Sequence, residues 1–159
     1  MKPSVYIETS IVSALAARPS RNLLLRARQQ TSVAWWNQRA SLHRVVISNF
    51  VSLEAAAGDP DAARRRLKLL EGIHVLSVDA ETVRLAQAVA EGLELPSKAR
   101  ADAFHIASAA RHGIELLLTW NCRHIANPVL RPRVERICAR SGYNPPVICT
   151  PWELMENGR

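Results

Sequence analysis

The chain has 159 residues, 48% of them hydrophobic and 22% charged, and carries a formal net charge of +7 with a pI near 10.2. This length supports one full hydrophobic core and is short for two, so a single domain over 1–159 is expected. No apolar run approaches the roughly 18 residues a membrane span needs, which argues against a membrane protein, and the basic balance favours a polyanionic partner such as nucleic acid.

In chain order, Ser4–Ile7 is a short β-rich run, followed by Glu8-Thr9-Ser10 and an apolar segment through Ala17. This predicts strand, turn and helix, with Thr9 or Ser10 as the helix cap and Glu8 at the carboxyl end of the strand. Pro19-Ser20 is expected to start a second, longer helix in which Leu24, Arg28, Thr31, Trp35 and Leu42 recur at helical spacing. That segment holds more large apolar side chains than one narrow core-facing stripe accommodates. Val45-Val46-Ile47 predicts the second strand, Ser48 or Asn49 the cap of a short helix carrying Glu54, and Gly58 its end. Asp59-Pro60 opens another helix, whose Arg64-Arg65-Arg66 run reads as a solvated face. His74–Ser77 is expected as the third strand and Asp79–Gly92 as an amphipathic helix.

Ser97–Gly113 then reads as a helix of about four turns with Ser97 as its N-cap. On its wheel Asp102 shares a stripe with Ile106 and Ala109, so a carboxylate falls on the face the other residues bury. Leu116-Leu117-Leu118 is the pattern of a strand covered on both faces, and it ends at Thr119, Trp120 and Asn121. A basic helix over 128–140, a final edge strand at Val147–Thr150 and a helical turn from Pro151 complete the chain. Strands alternating with helices imply a three-layer α/β/α domain, because parallel strands need crossovers. The three cysteines, Cys122, Cys138 and Cys149, have no CxxC spacing, which points to a reducing cytoplasm rather than a disulfide scaffold or zinc site.

In open α/β sheets chemistry collects beyond the carboxyl ends of the strands. If the first and fourth strands are neighbours, Glu8, Glu54 and Asp102 converge there together with Thr119 and Asn121. Two bare carboxylates ~4 Å apart repel by about 4 kcal/mol at an effective dielectric near 20, and a divalent cation removes that conflict. Oxygen-only ligands favour Mg²⁺ or Mn²⁺ over zinc, and such an ion activates water against a phosphodiester. The candidate ligands are therefore Glu8, Glu54, Asp102 and Asn121, with Ser10 and Thr119 supporting the acids. Trp120, Arg123 and His124, beside the mouth, are candidate RNA contacts. His105 lies one turn from Asp102 and reads as a helix residue hydrogen-bonding a neighbour. The chain has no GxGxxG or GxxxxGK[ST] fingerprint and no GxSxG elbow, which argues against nucleotide-cofactor enzymes and serine hydrolases.

YIETSIV at the start, ISNFVSLEAAAGD in the middle and ADAFHIASAARHGIELLLTWN together resemble the PIN-domain nucleases, specifically the VapC-type toxins of toxin–antitoxin pairs. The resemblance implies a five-stranded, mainly parallel sheet between helices and metal-dependent endoribonuclease activity. It puts Glu8 where the family usually has its first aspartate, Glu54 at its glutamate, Asp102 at its next aspartate and Thr119 at the threonine that orders the acids. Asn121 stands where a fourth acid is frequent, and Arg123 where a further acid is frequent. The implied partners are RNA and a cognate antitoxin whose basic side chain reaches the acids, and a homodimer is expected. A binding module of the same fold without cleavage is the alternative, carried by Glu8 and Asn121.

Overall fold

The computed structural model describes residues 1–156. Five strands form one wholly parallel sheet: β1 (Ser4–Ile7), β2 (Arg44–Ser48), β3 (His74–Leu76), β4 (Leu116–Leu118) and β5 (Val147–Cys149), in the spatial order β3-β2-β1-β4-β5. The expected neighbourhood of first and fourth strands is present, with Tyr6 opposite Leu117 and Ile7 opposite Leu118. Every residue of β1 is buried, as a central strand of a sheet covered on both faces requires.

Among the described residues eight helices clothe the sheet: α1 (Thr9–Ala16), α2 (Leu23–Gln38), α3 (Asn49–Ala55), α4 (Pro60–Leu70), α5 (Ala80–Gly92), α6 (Arg100–Arg111), α7 (Arg131–Arg140) and α8 (Pro151–Glu156). The core joins Val5, Tyr6 and Ile7 to Ile47, Ile106, Leu117 and Leu118. The alanines of α6 keep it thin: Ala103, Ala107, Ala109 and Ala110 are all buried, so its backbone lies close to its neighbours. No helix among the described residues is long and apolar enough to cross a membrane.

Four helix starts differ from expectation; one is α7, which begins at Arg131 rather than at residue 128. α1 is capped by Glu8, whose side chain accepts from the Ser10 amide, rather than by Thr9 or Ser10. α2 begins at Leu23 under an Asn22 cap, because Gln29 ties the preceding loop back: its Oε1 accepts from Ser20 N at 2.9 Å and its Nε2 donates to Arg18 O at 3.2 Å. Ser97 makes no side-chain cap bond; Ser97–Ala99 form a single 3₁₀ turn and α6 starts at Arg100. Gly113, at φ 64°, supplies the left-handed residue just past α6.

The arginine run of α4 is not the uniform solvated face expected. Arg65 Nε donates to Ala16 O at 3.0 Å, and Arg66 reaches Ala55 O at 2.9 Å and Ala57 O, so two of the three guanidinium groups cap the carboxyl ends of α1 and α3. Arg64 alone pairs outward, with Asp61. Trp35 is fully buried and Trp36 half-buried against it, whereas Leu23, Leu24 and Leu25 stand exposed at the start of α2.

Candidate metal-binding active site

The site lies at the carboxyl edge of β1, β2 and β4. Glu8 follows β1 directly and is only 5% exposed. Its Oε2 takes hydrogen bonds from Thr119 Oγ1 at 2.7 Å, from Ser10 N at 3.1 Å and from Ser10 Oγ. Thr119 is at the equivalent end of β4, so the β1–β4 pairing brings the two together. A buried carboxylate is tolerable when donors on its charged form replace water, and here three do so.

Glu54 projects from α3 after β2. Its Oε1 accepts from Thr9 Oγ1 at 2.6 Å and lies 2.6 Å from His105 Nε2. Burial works against its ionisation, but the hydrogen bond and charge of His105 and the hydroxyl of Thr9 outweigh it and hold the carboxyl below the usual glutamate range. His105 itself is fully buried, with Nδ1 2.8 Å from Tyr6 OH, and Tyr6 OH in turn is 2.7 Å from Ser48 Oγ. Phe50 packs edge-on against the imidazole and walls it from solvent.

Glu8, Glu54 and His105 each offer one ligand atom, and the three atoms lie within 4.8 Å of one another. Asp102 is not in this group. Its carboxylate is held by His124 Nδ1 at 3.0 Å, one helical turn before His105. The Asn121 side chain caps the next loop, its Oδ1 accepting from His124 N at 3.0 Å, while Asn121 N donates to Thr119 Oγ1 at 2.9 Å. Trp120 is a strut rather than an open stacking platform: Nε1 donates to Ser32 Oγ of α2 at 2.8 Å, and the Arg28 guanidinium sits 5.4 Å from the ring centre. Trp120 N also donates to Ser10 Oγ at 2.8 Å. Of the expected RNA contacts, His124 is paired with Asp102 and Arg123 is exposed on the loop. Beside the site a cleft of about 430 Å³ opens between α1 and α2, lined by Ser13, Leu25, Arg28, Trp120 and Asn121 among others.

The structure thus brings Glu8, Glu54, Ser10 and Thr119 together where the sequence reading placed them, and adds Thr9, Tyr6, Ser48 and His105, which that reading did not put there. A signal for two of them exists. Tyr6 precedes Glu8 by two residues, the repeat that puts side chains on one side of an extended segment. His105 follows Asp102 by three, which places it one turn along the same side of the helix.

The PIN domain family model matches residues 5–126, from the first strand to the loop that follows Asn121. The chain belongs to the PIN domain family. No curated protein matches it in sequence. Among solved structures, this PIN domain is similar to the VapBC2 complex of Rickettsia felis bound to a promoter DNA fragment, with a TM-score of 0.58, 11% identity, and coverage of 92% of this chain and 97% of that one. It is similar to FitAB bound to the IR36 DNA fragment at a TM-score of 0.56 and 15% identity, covering 93% and 95% of the two chains. It also resembles Mycobacterium tuberculosis VapC20, a toxin that cleaves the sarcin–ricin loop, at a TM-score of 0.55 and 21% identity, covering 76% and 92%. At these identities the likeness shows a shared fold.

PIN nucleases generally depend on a divalent metal. The donor set of this PIN domain fits such an ion, since two carboxylates and an imidazole already converge on one point. With the buried Glu8 charge at its edge, the group gains a counter-charge on binding a cation.

Proposed function

We propose that this PIN domain is a VapC-type toxin, a cytoplasmic endoribonuclease that uses Mg²⁺ or Mn²⁺ and is restrained by a cognate antitoxin. The observation that carries the reading is the convergence of Glu8 and Glu54 at one sheet edge, each clamped by hydroxyl donors, Thr119 and Ser10 on one and Thr9 on the other. Such clamping fixes carboxylates in the orientation a cation needs and is excessive for a solvated acid.

When bound, the ion supplies a Lewis acid that lowers the pKa of a coordinated water and offsets charge on the scissile phosphate. Glu8 and Glu54 would hold it, and Asp102, at the first turn of α6, would add negative charge nearby. His124 holds Asp102 in place. Arg123, exposed on the loop after β4, is the cation available to an RNA phosphate.

The partner reading rests on α2. Leu23 is 84% exposed and Leu24 65%, an apolar start to a helix that also lines the cleft beside the site. In this reading an amphipathic antitoxin segment covers the cleft and brings an arginine or lysine to the glutamates, and a second copy of the chain completes a homodimer.

The test is cleavage of RNA by the purified chain with Mn²⁺ or Mg²⁺, compared with the same chain in chelator and with Glu54→Gln. Metal-dependent cutting that Glu54→Gln abolishes supports the nuclease. The alternative, a binding module without cleavage, draws on Asn121, which contributes a loop cap where a further acid is frequent. RNA retained intact by a folded chain, with Mn²⁺ present, favours that alternative.

A further inference from the structure

We propose that His105 is itself a ligand of the site's cation, through Nε2, and that this nitrogen makes the site prefer Mn²⁺ to Mg²⁺. The inference rests on the reading that Glu8 and Glu54 hold a divalent ion, and it changes the identity of the third donor from an acid to an imidazole.

Three features carry it. The first is aim. His105 Nε2 is 2.6 Å from Glu54 Oε1 and 3.8 Å from Glu8 Oε1, so the nitrogen points between the two carboxylates. The second is what holds Glu8. Its three donors all bind Oε2, which leaves Oε1 turned toward the imidazole at a distance too long for a hydrogen bond. A side chain this deeply buried, clamped on one oxygen with the other facing a nitrogen, is arranged around a shared point.

The third feature is a chain of hydrogen bonds that runs in either direction. Ser48 Oγ, Tyr6 OH and His105 Nδ1 are linked at 2.7 and 2.8 Å, and each hydroxyl both donates and accepts. In one state Nε2–H donates to Glu54, while Nδ1 accepts from Tyr6 and Tyr6 accepts from Ser48. In the alternative tautomer, with the one ring proton on Nδ1 instead of Nε2, Nδ1 donates to Tyr6 and Tyr6 donates to Ser48. Both links of the Ser48–Tyr6–His105 chain are kept, and Nε2 presents a lone pair to the carboxylates in place of its hydrogen bond to Glu54. Metal-bound histidines are commonly oriented by a hydrogen bond on the second ring nitrogen, and Tyr6 stands at that position.

The selectivity follows from ligand chemistry. Mg²⁺ takes oxygen donors and sheds water reluctantly, whereas Mn²⁺, though the weakest binder of the first-row transition ions, is one of them and accepts an imidazole nitrogen beside carboxylates more readily than Mg²⁺ does. Asp102, paired with His124, is not the donor nearest the two glutamates; His105 is.

The experiment loads the full chain with Mn²⁺ and reads the electron spin-echo modulation from nitrogen bound to the ion, with natural and heavy-nitrogen histidine. Directly coordinated imidazole is expected, with a coupling that changes on isotopic labelling and persists in His124→Gln. In His105→Gln, whose amide can still bridge Tyr6 and Glu54, the coupling is expected to vanish and Mn²⁺ affinity to fall roughly ten-fold or more, with a smaller loss for Mg²⁺ measured by competition. Glu54-dependent Mn²⁺ binding without nitrogen coupling overturns the proposal and leaves the metal-site reading standing. So does a coupling that disappears in His124→Gln instead. Mn²⁺ binding that is absent, or unaltered by Glu54→Gln, overturns the metal-site reading and this proposal with it. The wild-type isotope measurement and His124→Gln decide the matter even if His105→Gln fails to fold.

Discussion

His124 Nδ1 lies 3.0 Å from the Asp102 carboxylate, and this pair forms a second layer beside the Glu8, Glu54 and His105 group rather than part of it. The acid that opens α6 and the histidine one turn later thus have separate partners. Their variants should behave differently.

Asp102→Asn keeps a hydrogen-bonding partner for His124 and removes one charge. RNA cleavage is expected to fall by about 100-fold or more, the range for loss of a group acting in the transition state. Mn²⁺ binding, followed by calorimetry, is expected to weaken less than in Glu54→Gln. Unchanged cleavage and unchanged Mn²⁺ affinity would remove Asp102 from the site.

Thr119→Val takes away the donor to Glu8 Oε2 at 2.7 Å and the acceptor for Asn121 N at 2.9 Å without changing side-chain shape greatly. Leaving buried polar groups unpaired costs about 1–3 kcal/mol, which urea unfolding resolves. Mn²⁺ affinity should drop with it, and Thr119→Ser should recover both. A valine variant as stable and as tight as wild type would show that Thr119 does not hold Glu8.

Asn121→Asp preserves the acceptor that caps the His124 amide and adds a negative charge near the acids. Tighter Mn²⁺ binding is the expected result. Unchanged binding would mean that residue 121 lies outside the ion's influence.

Within the arginine run, Arg66→Ala and Arg64→Ala should separate cleanly. Arg66 satisfies the carbonyls of Ala55 and Ala57, and losing such charged hydrogen bonds costs about 1.5–3 kcal/mol, whereas Arg64 makes a surface pair and its loss falls within about 0.5 kcal/mol of neutral. Denaturation midpoints measured side by side check this. Equal effects would contradict the capping role.

Asp79 caps α5, and hydrogen bonds from the Thr82 amide and hydroxyl, followed by Arg111, bring its carboxyl down to about 2 from 3.8. A carboxyl depressed in the folded state stabilises above its unfolded value and loses that contribution as pH falls through the folded one. Asp79→Ala should therefore be less stable than wild type at neutral pH. The gap should narrow between pH 3.8 and about 2, as read from urea midpoints at each pH. A gap independent of pH would exclude the ionised cap as its source.

The sheet was legible because its strands are short apolar runs; the place of Glu8 followed from the end of the first strand, and that of Glu54 from the short helix after the second. Helix starts were less legible. Ser97 is a good cap by residue type and makes no cap bond, whereas Glu8, a less usual cap, has its carboxylate drawn to the Ser10 amide by the geometry of the site. Likewise Pro19-Ser20 reads as a start until Gln29, nine residues beyond Ser20, is seen tying that loop down. The partners of His105 were hidden for a related reason. Its significance comes from Glu54 on α3 and Tyr6 on β1, 51 and 99 residues away, and no local pattern carries that information.

The bond between Glu8 and Thr119 spans 111 positions, and β1 sits between β2 and β4 in the sheet. A growing polypeptide can pair β1 with β2 early, but the hydroxyl that clamps Glu8 is added only after β4 has been synthesised. Prematurely terminated products that stop before β4 would expose one side of β1 and lack a properly held Glu8. They would lack the assembled acidic site and be recognisable to quality-control proteases by that bare strand. The order in which the ribosome delivers the pieces thus keeps the site unassembled until β4 has been made.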